Sequence, residues 1–336
     1  MTDFSCLRGK RILVTGGTGF VGGHLVPALL EAGAIVTCLV RPSSSQRPLP
    51  AGAHRVVADL HTGEGLGEAL LGQEAVIHMA ALLFGASWQD YLAANTLAAR
   101  TLGKALAAHT TVQRLVLISS LAATAPSATS PGVQEHTSPA PVSAYGWSKF
   151  IAEQIFALHC GDRMVTLRPP IIYGSGDKGL LPCFQAAQKG LMVSPGLCRA
   201  FPVSAVHVHD MVQAIMLCLL PKAHGLYHIN DGREYTMRSF NQGIAHALGR
   251  KAYTLTLPLP IMALTAGVSS LIYTLFKKYM ARVPSWNWDK YLEAKQVGWL
   301  CDSSRICAEL GYEPRVTLEQ GMAEAVAGYR AAGWIH

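Results

Sequence analysis

Tyr145 and Lys149 are spaced to act together in a proton transfer. They stand four positions apart in the run YGWSK, so on a helix their side chains share a face. A lysine ammonium about 5 Å from a phenolate, at an effective dielectric constant of about 20, stabilises the anion by about 3 kcal/mol, or roughly two pKa units. A phenol with its pKa lowered in this way can exchange a proton with a substrate near neutral pH. Because this spacing occurs by chance in many helices, the pair needs support from elsewhere in the chain.

A glycine-rich turn near the start of the chain gives that support. The strand pattern RILVT runs into GGTGFVG, which an Ala- and Leu-rich helix pattern follows. Gly16 permits a tight turn, Gly19 lets the backbone approach a pyrophosphate, and Gly22 lets the helix pack on the strand. N–H groups at the start of that helix face the phosphates. We therefore predict a dinucleotide site, against the alternative of a turn without ligand. Its residues are Gly16, Thr18, Gly19, Phe20, Val21 and Gly22.

Arg41 indicates which dinucleotide binds. Proteins that bind NAD usually carry Asp or Glu at the end of the second strand, where the carboxylate contacts the ribose 2′-hydroxyl. This chain has Leu39, Val40 and Arg41 there. An arginine can hold a 2′-phosphate with two hydrogen bonds, helped by the hydroxyls of Ser43 or Ser44, although it can also be an ordinary solvated loop residue. The sequence predicts NADP(H) as the preferred cofactor, with NAD(H) as the second choice.

Strand and helix patterns alternate over residues 11–118. Short β-branched runs (RILVT, IVTCLV, HRVVA, AVIHMA and RLVLIS) are separated by longer Ala- and Leu-rich stretches. This order predicts an α/β protein with a Rossmann-type, doubly wound parallel sheet. We expect a surface loop over 122–144, then a helix over 144–160 and a strand at MVTLR. The dinucleotide-binding domain is predicted over 8–174. The remainder, 175–336, is predicted to be mainly a substrate-binding region from which some segments return to the sheet.

The composition excludes several classes of protein. Of the 336 residues, 50% are hydrophobic and 15% are charged, which rules out a disordered chain. The net charge of +7 comes from scattered Lys and Arg residues without interleaved aromatic residues, so we expect no nucleic-acid partner. The 8 cysteines form no C-x-x-C pair, which is typical of a reducing compartment. The first residues run directly into a strand pattern without the segments of a leader, and we expect a cytoplasmic protein.

An uncharged stretch covers residues 252–276 and is followed by two lysines. Its apolar side chains recur at helical spacing from Ile261 onwards, while Pro258 and Pro260 shorten the helical part. The leading interpretation is a helix that roofs an apolar substrate cavity or packs on the core. Peripheral membrane contact through 258–278, which would make the protein membrane-associated, and a true membrane span are the alternatives.

Three motifs together resemble the extended short-chain dehydrogenase/reductase family, also called the NAD-dependent epimerase/dehydratase superfamily. They are TGGTGFVG, the Ser119/Ser120 pair that ends the fifth strand pattern, and YGWSK. Further similarities are Asn95 on the helix after the fourth strand, LRPPIIYG from Leu167, AVHVHD, and ELGYEP near the C-terminus. The resemblance covers nearly the whole chain.

The resemblance implies roles for single residues. Ser120 would hydrogen-bond the substrate oxygen, and Tyr145 would donate or accept its proton. Lys149 would tune Tyr145 and hold the nicotinamide ribose, while Ser119 is the weaker serine candidate. Many relatives form dimers, so we expect a homodimer. Cofactor contacts outside the glycine-rich turn would come from Arg41, Asp59, Leu60, Ala80, Ala81, Tyr145, Lys149, Pro169 and Ile172.

Residues that differ from the family pattern reduce the range of reactions that the resemblance allows. Sugar dehydratases of the family carry Asp and Glu after the catalytic hydroxyl residue, whereas Leu121 and Ala122 follow Ser120 here. Sugar-nucleotide epimerases carry Asn and Arg contacts that RPPI and PVSAVHV lack. These differences favour the branch that resembles dihydroflavonol reductases and 3β-hydroxysteroid dehydrogenases. We therefore predict interconversion of a ketone and a secondary alcohol on a small hydrophobic substrate. A nucleoside-diphosphate-sugar epimerase is the alternative, and a non-catalytic NADP-binding or membrane-associated protein is a more remote one.

Two further groups of residues are assigned to structure rather than to a site. His207 and His209 alternate on a strand-like segment without a Cys, Asp or Glu at ligand spacing, so no metal site is predicted. Trp286, Trp288 and Tyr291 could stack on a flat substrate, but aromatic clusters of this kind more often serve packing. All five are left out of the predicted site.

Overall fold

A seven-stranded sheet forms the centre of the computed structural model, which describes residues 4–196, 199–280 and 283–336. The described strands are β1 (Arg11–Thr15), β2 (Ile35–Val40), β3 (His54–Val57), β4 (Ala75–His78), β5 (Arg114–Ile118), β6 (Met164–Arg168), β7 (Ile171–Tyr173), β8 (Leu191–Pro195), β9 (Pro202–Val203), β10 (Ala205–His207), β11 (Gly225–His228), β12 (Tyr235–Thr236) and β13 (Tyr253–Leu257).

Helices connect most of these strands. They are α1 (Phe20–Glu31), α2 (Leu66–Leu70), α3 (Trp88–Tyr91), α4 (Ala98–Ala108), α5 (Ala144–Cys160), α6 (Leu181–Gln188), α7 (Val208–Cys218), α8 (Met237–Ala247), α9 (Leu259–Phe276), α10 (Trp288–Ala294), α11 (Ser304–Leu310) and α12 (Leu318–Ala331). A π-helical turn, Leu92–Leu97, joins α3 to α4. Short 3-10 turns include Pro42–Ser44 after β2 and Leu121–Ala123 after β5.

The sheet has the order β11-β6-β5-β4-β1-β2-β3, and every neighbouring pair is parallel. From β1, the strands β2 and β3 extend one side, while β4, β5 and β6 extend the other. A crevice forms at the carboxyl ends of the strands where the order reverses, and ligands of such sheets bind there. The predicted Rossmann-type, doubly wound sheet is therefore confirmed. The outermost strand, β11, comes from the C-terminal half of the chain.

Both faces of the sheet are covered, which explains why its strands are continuous apolar runs. In β1, Ile12 and Val14 belong to a core cluster that includes residues of α1 and α7. Leu13, between them, belongs to a second cluster with residues of α2, α4 and α5. Alternate side chains of one strand thus enter opposite layers. These two layers hold the strand ends, and the loops that follow them, in fixed positions.

The C-terminal region has a third apolar core. Phe184 of α6, Phe240 of α8 and Tyr329 of α12 are fully buried in it. The rings of Phe184 and Tyr329 meet edge to face with centroids 4.8 Å apart. Three strand pairs, β7–β10, β9–β12 and β8–β13, accompany these helices.

Two segments differ from their expected secondary structure. His207 ends β10, but His209 lies in the first turn of α7, so the prediction that they alternate on one strand is wrong. The His207 ring accepts the backbone N–H of His209, and Asp210 places an acid in the first turn; both favour the start of a helix. In the uncharged stretch, β13 precedes α9 because β8 offers it a parallel partner strand.

Candidate active site

The glycine-rich turn between β1 and α1 fits a dinucleotide. Gly16 has a φ of +78°, and a Cβ there would come within 2.9 Å of the Ala80 nitrogen, so no other residue suits the turn. A Cβ on Gly22 would lie 2.5 Å from the Gly16 oxygen, because α1 packs closely on the turn. At Gly19 a Cβ would meet only the Gly16 oxygen, at 3.2 Å, and would otherwise fill a cradle. Beside this cradle lie the first-turn N–H groups of α1, which have no helical partners and suit a pyrophosphate.

The other predicted cofactor residues lie mostly just beyond the carboxyl ends of sheet strands, where the crevice is. Arg41 follows β2 and is exposed, while Asp59 follows β3. Hydrogen bonds from the backbone N–H groups of His61 and Thr62 lower the pKa of Asp59, and the charge of Arg41 contributes, so Arg41 and Asp59 are near each other. The remaining predicted contacts are Leu60 after β3, Ala80 and Ala81 after β4, Pro169 after β6, and Ile172 within β7.

Thr15 and His78, at the ends of β1 and β4, hold the loop after β4 in place beside the glycine-rich turn. No motif in the sequence indicated this role. The Thr15 hydroxyl oxygen accepts the N–H groups of Met79 and Ala80, each at 3.2 Å. The same hydroxyl lies 2.8 Å from Nδ1 of His78. Burial lowers the pKa of His78 to about 3, and the nearby charge of Lys149 adds to this, so the ring is neutral and can accept the Thr15 proton. The loop that carries Ala80 is thereby held against the glycine-rich turn.

The start of α5 places Tyr145. The Ser143 side chain caps the helix by accepting the Gly146 N–H at 3.0 Å. The Asp289 carboxylate, from α10, accepts the N–H groups of Ala144 at 2.6 Å and Tyr145 at 3.3 Å. An acid at a helix N-terminus is stabilising, so this contact ties α10 to the first turn of α5.

Gly146 permits a close approach that brings Tyr145 to Ser120. A Cβ on Gly146 would lie 2.2 Å from the Ala122 oxygen, so only glycine lets the turn after β5 pack on α5. Ser120 and Tyr145 both line the same cavity, and the Ser120 side chain acts to lower the pKa of the Tyr145 phenol. Ser119 instead donates a hydrogen bond to Glu153 and is buried. Of the two serines, Ser120 is therefore the one beside Tyr145.

Lys149 lies one turn along α5 and is buried beneath the site. Its Nζ donates a hydrogen bond to the Ile118 carbonyl at 2.7 Å. Burial lowers the pKa of Lys149 to about 8, opposed by the charge of Glu153. The expected lowering of the Tyr145 pKa by Lys149 is not found. Burial raises the pKa of Tyr145 instead, because desolvation of the phenolate exceeds the opposing effects of Lys290 and Ser120.

Lys290 is the cation that faces Tyr145. Its Nζ lies 4.7 Å from the centre of the Tyr145 ring and 2.9 Å from a Glu293 oxygen. Burial opposes the charge of Lys290, but Glu293 and Tyr145 together raise its pKa. Glu293 also accepts a hydrogen bond from the Ser143 hydroxyl at 2.8 Å. No motif marks Asp289, Lys290 and Glu293 in the sequence, since they are distant from Tyr145 along the chain and only the fold brings them to it.

A cavity of about 790 Å³ opens beside Ser120 and Tyr145. Among its described lining residues, the charged ones are Lys290 and Glu293, which neutralise each other. Helix α9 contributes Met262 and Thr265, as expected for a helix that roofs an apolar cavity. Trp286, which was left out of the predicted site, is also part of the wall. The apolar lining includes Leu121, Pro170, Ile171, Pro182, Ala186, Met192, Val193, Pro195, Phe201, Val203, Met237, Leu257 and Trp299.

Ser120 and Tyr145 thus line one apolar cavity, and Lys149 lies one turn further along α5. The model of the NAD dependent epimerase/dehydratase family matches residues 12–230, well over half of the chain. The chain belongs to this family. It is an enzyme of the NAD(P)-dependent dehydrogenase/reductase type that acts on CH–OH groups. The matched residues include the cradle, Ser120 and Tyr145, but end before α10 and its Lys290.

Several relatives of this family member match over almost its full length. A ceramide reductase of Caulobacter vibrioides is 32% identical over 96% of this chain and 96% of its own. A 4-hydroxy-2-methyl-3-oxo-4-farnesyl-3,4-dihydroquinoline-1-oxide ketoreductase of Stigmatella aurantiaca is 30% identical over 93% of this chain and 94% of its own. A 3-beta-hydroxysteroid dehydrogenase of Mycolicibacterium neoaurum is 29% identical over 95% of this chain and 91% of its own. The solved structure of MoeE5 with UDP-glucuronic acid and NAD shares the fold, with a TM-score of 0.74 at 23% identity over 96% of this chain and 99% of that one.

In this epimerase/dehydratase-family enzyme, His207 and His209 lie away from the cavity lining. Glu324 joins them, with its oxygens 3.8 Å from Nε2 of His207 and 3.5 Å from Nε2 of His209. Burial lowers the pKa of His207 to about 4, so its ring is neutral. Because Nδ1 of His207 accepts a backbone N–H, its proton lies on Nε2, the nitrogen that faces Glu324. At 3.8 Å this nitrogen is too far from Glu324 for a hydrogen bond, and it has no partner among the described residues. The fold brings a carboxylate to the two histidines that the sequence spacing did not indicate, and the expectation of no metal site stays a prediction.

We expect Lys290→Met to shift the pH profile of alcohol oxidation upwards by about one to two pH units. With Tyr145 as the predicted acceptor of the alcohol proton, the phenol must first lose its own proton, and Lys290 is the cation that favours the phenolate. Removing it raises the pKa of Tyr145 further, so oxidation requires a higher pH. Lys295→Met is the matched control, because Lys295 closes the same helix and lies over Tyr291 instead. Coinciding profiles of kcat against pH for Lys290→Met and the unaltered enzyme would refute the assignment.

Proposed function

We propose that this enzyme interconverts a ketone and a secondary alcohol on a large hydrophobic, lipid-like substrate, with NADP(H) as its cofactor. The observation that carries the proposal is the cavity beside Ser120 and Tyr145. Its volume of about 790 Å³ suits a large substrate, and its charged lining residues are already paired with each other. Burial of apolar substrate surface there contributes about 25 cal/mol per Å².

A nucleoside-diphosphate sugar suits this cavity poorly. A diphosphate loses several kcal/mol of hydration on burial unless basic groups replace the water. Lys290 is the cation among the described lining residues, and its Nζ already donates a hydrogen bond to a Glu293 carboxylate oxygen at 2.9 Å. The binding of a diphosphate would therefore have to break an existing ion pair. This cost disfavours the epimerase alternative.

The names of two of the relatives point in the same direction, whereas a UDP-glucose 4-epimerase is among the others. The ceramide reductase and the farnesyl-dihydroquinoline ketoreductase are named for substrates with long apolar groups. We infer that the substrate of this enzyme is likewise a ketone carried by a lipid-like molecule. The charged groups of the lining are gathered around Tyr145, so the substrate that fits best is an amphiphile. Its carbonyl and any neighbouring polar groups would lie at Tyr145, with the apolar part along Met192, Phe201 and Met262.

In this proposal the chain holds the cofactor at three places. The cradle at Gly16 and Gly19 binds the pyrophosphate, Arg41 binds the 2′-phosphate of NADP(H), and Lys149 binds the nicotinamide ribose. The contact of Lys149 with the Ile118 carbonyl already places its ammonium at the end of β5, beside the crevice. When bound, the nicotinamide supplies or takes the hydride.

The proton is handled by Ser120 and Tyr145. The Ser120 hydroxyl donates a hydrogen bond to the substrate carbonyl and orients it. Tyr145 donates its phenolic proton to that oxygen during reduction and takes it back during oxidation. The raised pKa of Tyr145 keeps the phenol protonated at neutral pH, which favours its role as proton donor in reduction.

A substrate panel tests this proposal. We would follow NADPH absorbance and binding heat with long-chain, steroid-like and flavonoid-like ketones, and with UDP- and dTDP-sugars. The proposal requires micromolar binding and turnover of at least one hydrophobic ketone. The variant Ala186→Phe, which fills part of the cavity wall, should raise KM for long ketones and leave a short ketone unaffected. Epimerisation of a nucleotide sugar with no ketone reduced would overturn the proposal in favour of the epimerase.

Cofactor choice has its own test. We expect Arg41→Asp to weaken NADPH binding roughly 10- to 100-fold, because it removes a charge-assisted contact to the 2′-phosphate and adds a like charge. Binding of NADH should change little or improve. Arg250→Asp, an exposed arginine after α8, is the control for a simple change of net charge. Tighter binding of NADH than of NADPH by the unaltered enzyme would contradict the preference.

A further inference from the structure

The outer face of α9 is apolar and exposed. Leu264, Leu271 and Leu275 are 67%, 58% and 66% exposed. They recur at helical spacing, so they share one side of the helix. Ile261, Val268, Ile272 and Phe276 are also about half exposed. A continuous apolar surface of this kind marks an interaction site in a folded protein.

The polar side chains of α9 are hydrogen-bonded within the chain. Thr265 accepts a hydrogen bond from the Trp286 indole at 3.1 Å, and Ser269 donates one to the Trp286 carbonyl at 2.7 Å. Ser270 accepts the Trp288 N–H at 2.9 Å. The helix is therefore fixed lengthwise on the segment that leads into α10. Thr265 and Thr274 are exposed as well, so the outward surface of α9 is mainly but not wholly apolar.

Positive charge adjoins this surface. Lys277 and Lys278 directly follow α9, both exposed, and no acidic residue occurs from 252 to 276. A second apolar surface precedes α9, because the paired strands β8 and β13 expose Leu191, Val193, Tyr253 and Leu255. An apolar helix face bounded by lysines is complementary to a lipid surface, with acyl chains below and anionic headgroups at its edge.

We propose that α9 docks this enzyme on the surface of a bilayer that contains anionic lipids. The outer leucines enter the boundary between headgroups and acyl chains, and Lys277 and Lys278 lie among the phosphates. Among the described residues, α9 is the helix long and apolar enough to cross a membrane. A crossing would break its three hydrogen bonds to 286–288 and expose these groups to hydrocarbon, so the helix lies in the interface. A second copy of the chain is the alternative occupant, but its α9 carries no acidic residue that could pair with Lys277 and Lys278.

Docking places the substrate cavity next to the membrane. The inner side of α9 lines that cavity through Met262 and Thr265. If the proposed function holds, a lipid ketone could pass from the bilayer into the cavity without crossing water. Membrane binding itself does not depend on that function, because it is measured without substrate or cofactor.

Flotation with vesicles tests the proposal. The full chain is mixed with phosphatidylcholine vesicles, with or without roughly a third phosphatidylglycerol. We expect stronger binding to the anionic vesicles. The double variant Leu264→Glu/Leu271→Glu should lose roughly tenfold or more of its partition coefficient. Its matched control is Leu71→Glu/Leu158→Glu, two leucines exposed elsewhere, which should bind as before. Lys277→Gln/Lys278→Gln should lose about fivefold per lysine on anionic vesicles only.

Three results would overturn the proposal. The first is that flotation shows no specific binding through α9. In that case either the unaltered enzyme does not bind the vesicles, or Leu264→Glu/Leu271→Glu binds them as strongly as the unaltered enzyme. The second is that the enzyme resists extraction by alkaline carbonate, which would indicate a spanning helix. The third is that it sediments without vesicles as a dimer that the α9 variant dissociates, which would assign the surface to a second copy. NADPH turnover of a short soluble ketone, measured separately, reports on the proposed function alone.

Discussion

Replacement of Tyr145 by Phe is expected to lower kcat for ketone reduction by about 10²–10⁴-fold, the usual contribution of a positioned proton donor. The ring of Tyr145 is buried among Tyr91 and Ala122, and phenylalanine fills the same space. Only the hydroxyl, on which the Ser120 side chain acts, is lost. Binding of NADPH should change little, because the cradle at Gly16 and Gly19 is untouched. Steady-state kinetics and calorimetry with NADPH measure the two quantities separately.

The neighbouring Tyr91 provides the matched control. Its ring lies 5.9 Å from the Tyr145 ring. Its hydroxyl donates a long hydrogen bond to the Leu83 carbonyl, at 3.4 Å, and lies near Asp289. We expect Tyr91→Phe to keep kcat within about threefold, since a long neutral hydrogen bond contributes about 0.5 kcal/mol. Near-normal turnover of a correctly folded Tyr145→Phe would remove Tyr145 from the mechanism.

The variant Glu153→Ala should lower the free energy of unfolding by about 3–5 kcal/mol, because it leaves a buried arginine without its partner. Glu153 accepts two hydrogen bonds from Arg168, at 2.9 and 2.5 Å, and both side chains are 4% exposed. It also accepts the hydroxyl of Ser119. This network joins α5 to the ends of β5 and β6, directly beneath Ser120. Chemical denaturation followed by circular dichroism measures the loss.

Two further variants distinguish the loss of the buried Glu153–Arg168 pair from the effect of any substitution in this part of α5. Gln154→Ala changes the next, exposed residue of α5 and should alter stability by less than about 0.5 kcal/mol. The double variant Glu153→Leu/Arg168→Met removes both charges and fills the space, so it should recover most of the loss. Equal stability of Glu153→Ala and Gln154→Ala would show that the buried pair does not hold these elements together.

The sheet and the helix that carries Tyr145 are predictable because their signals are local. The helix expected over 144–160 is observed as Ala144–Cys160, since Ser143 caps its start and Gly161, with a φ of +53°, ends it. The strands β1, β2, β4 and β5 are likewise largely apolar runs, whereas β3, at the edge of the sheet, begins with His54 and Arg55 and is mostly exposed. The uncharged stretch was harder to divide. Composition alone does not show that its first part pairs with β8, because that depends on a strand some 60 residues earlier.

The candidate site was only partly predictable. Ser120, Tyr145 and Lys149 follow from motifs, and the fold brings Ser120 and Tyr145 to the same cavity. The pKa of Tyr145 is raised, whereas the sequence predicted that Lys149 would lower it. The prediction counted only the attraction between the two charges and left out the desolvation of a buried phenol. Lys290 and Glu293 reach Tyr145 only through the packing of α10 on the start of α5. Such long-range contacts leave no spacing pattern in the sequence.

Transfer of a labelled hydride tests the central claim most directly. The enzyme would be supplied with NADPH deuterated at the transferable position and with a hydrophobic ketone that it binds. The account predicts an alcohol with deuterium on its carbinol carbon, formed one for one with NADP⁺. With Tyr145→Phe, the labelled alcohol should form about 10²–10⁴-fold more slowly. An epimerase would return the hydride to its own substrate and consume no NADPH. Epimerised nucleotide sugar with no net NADPH oxidation, or cofactor binding with no transfer to any hydrophobic ketone, would contradict the account.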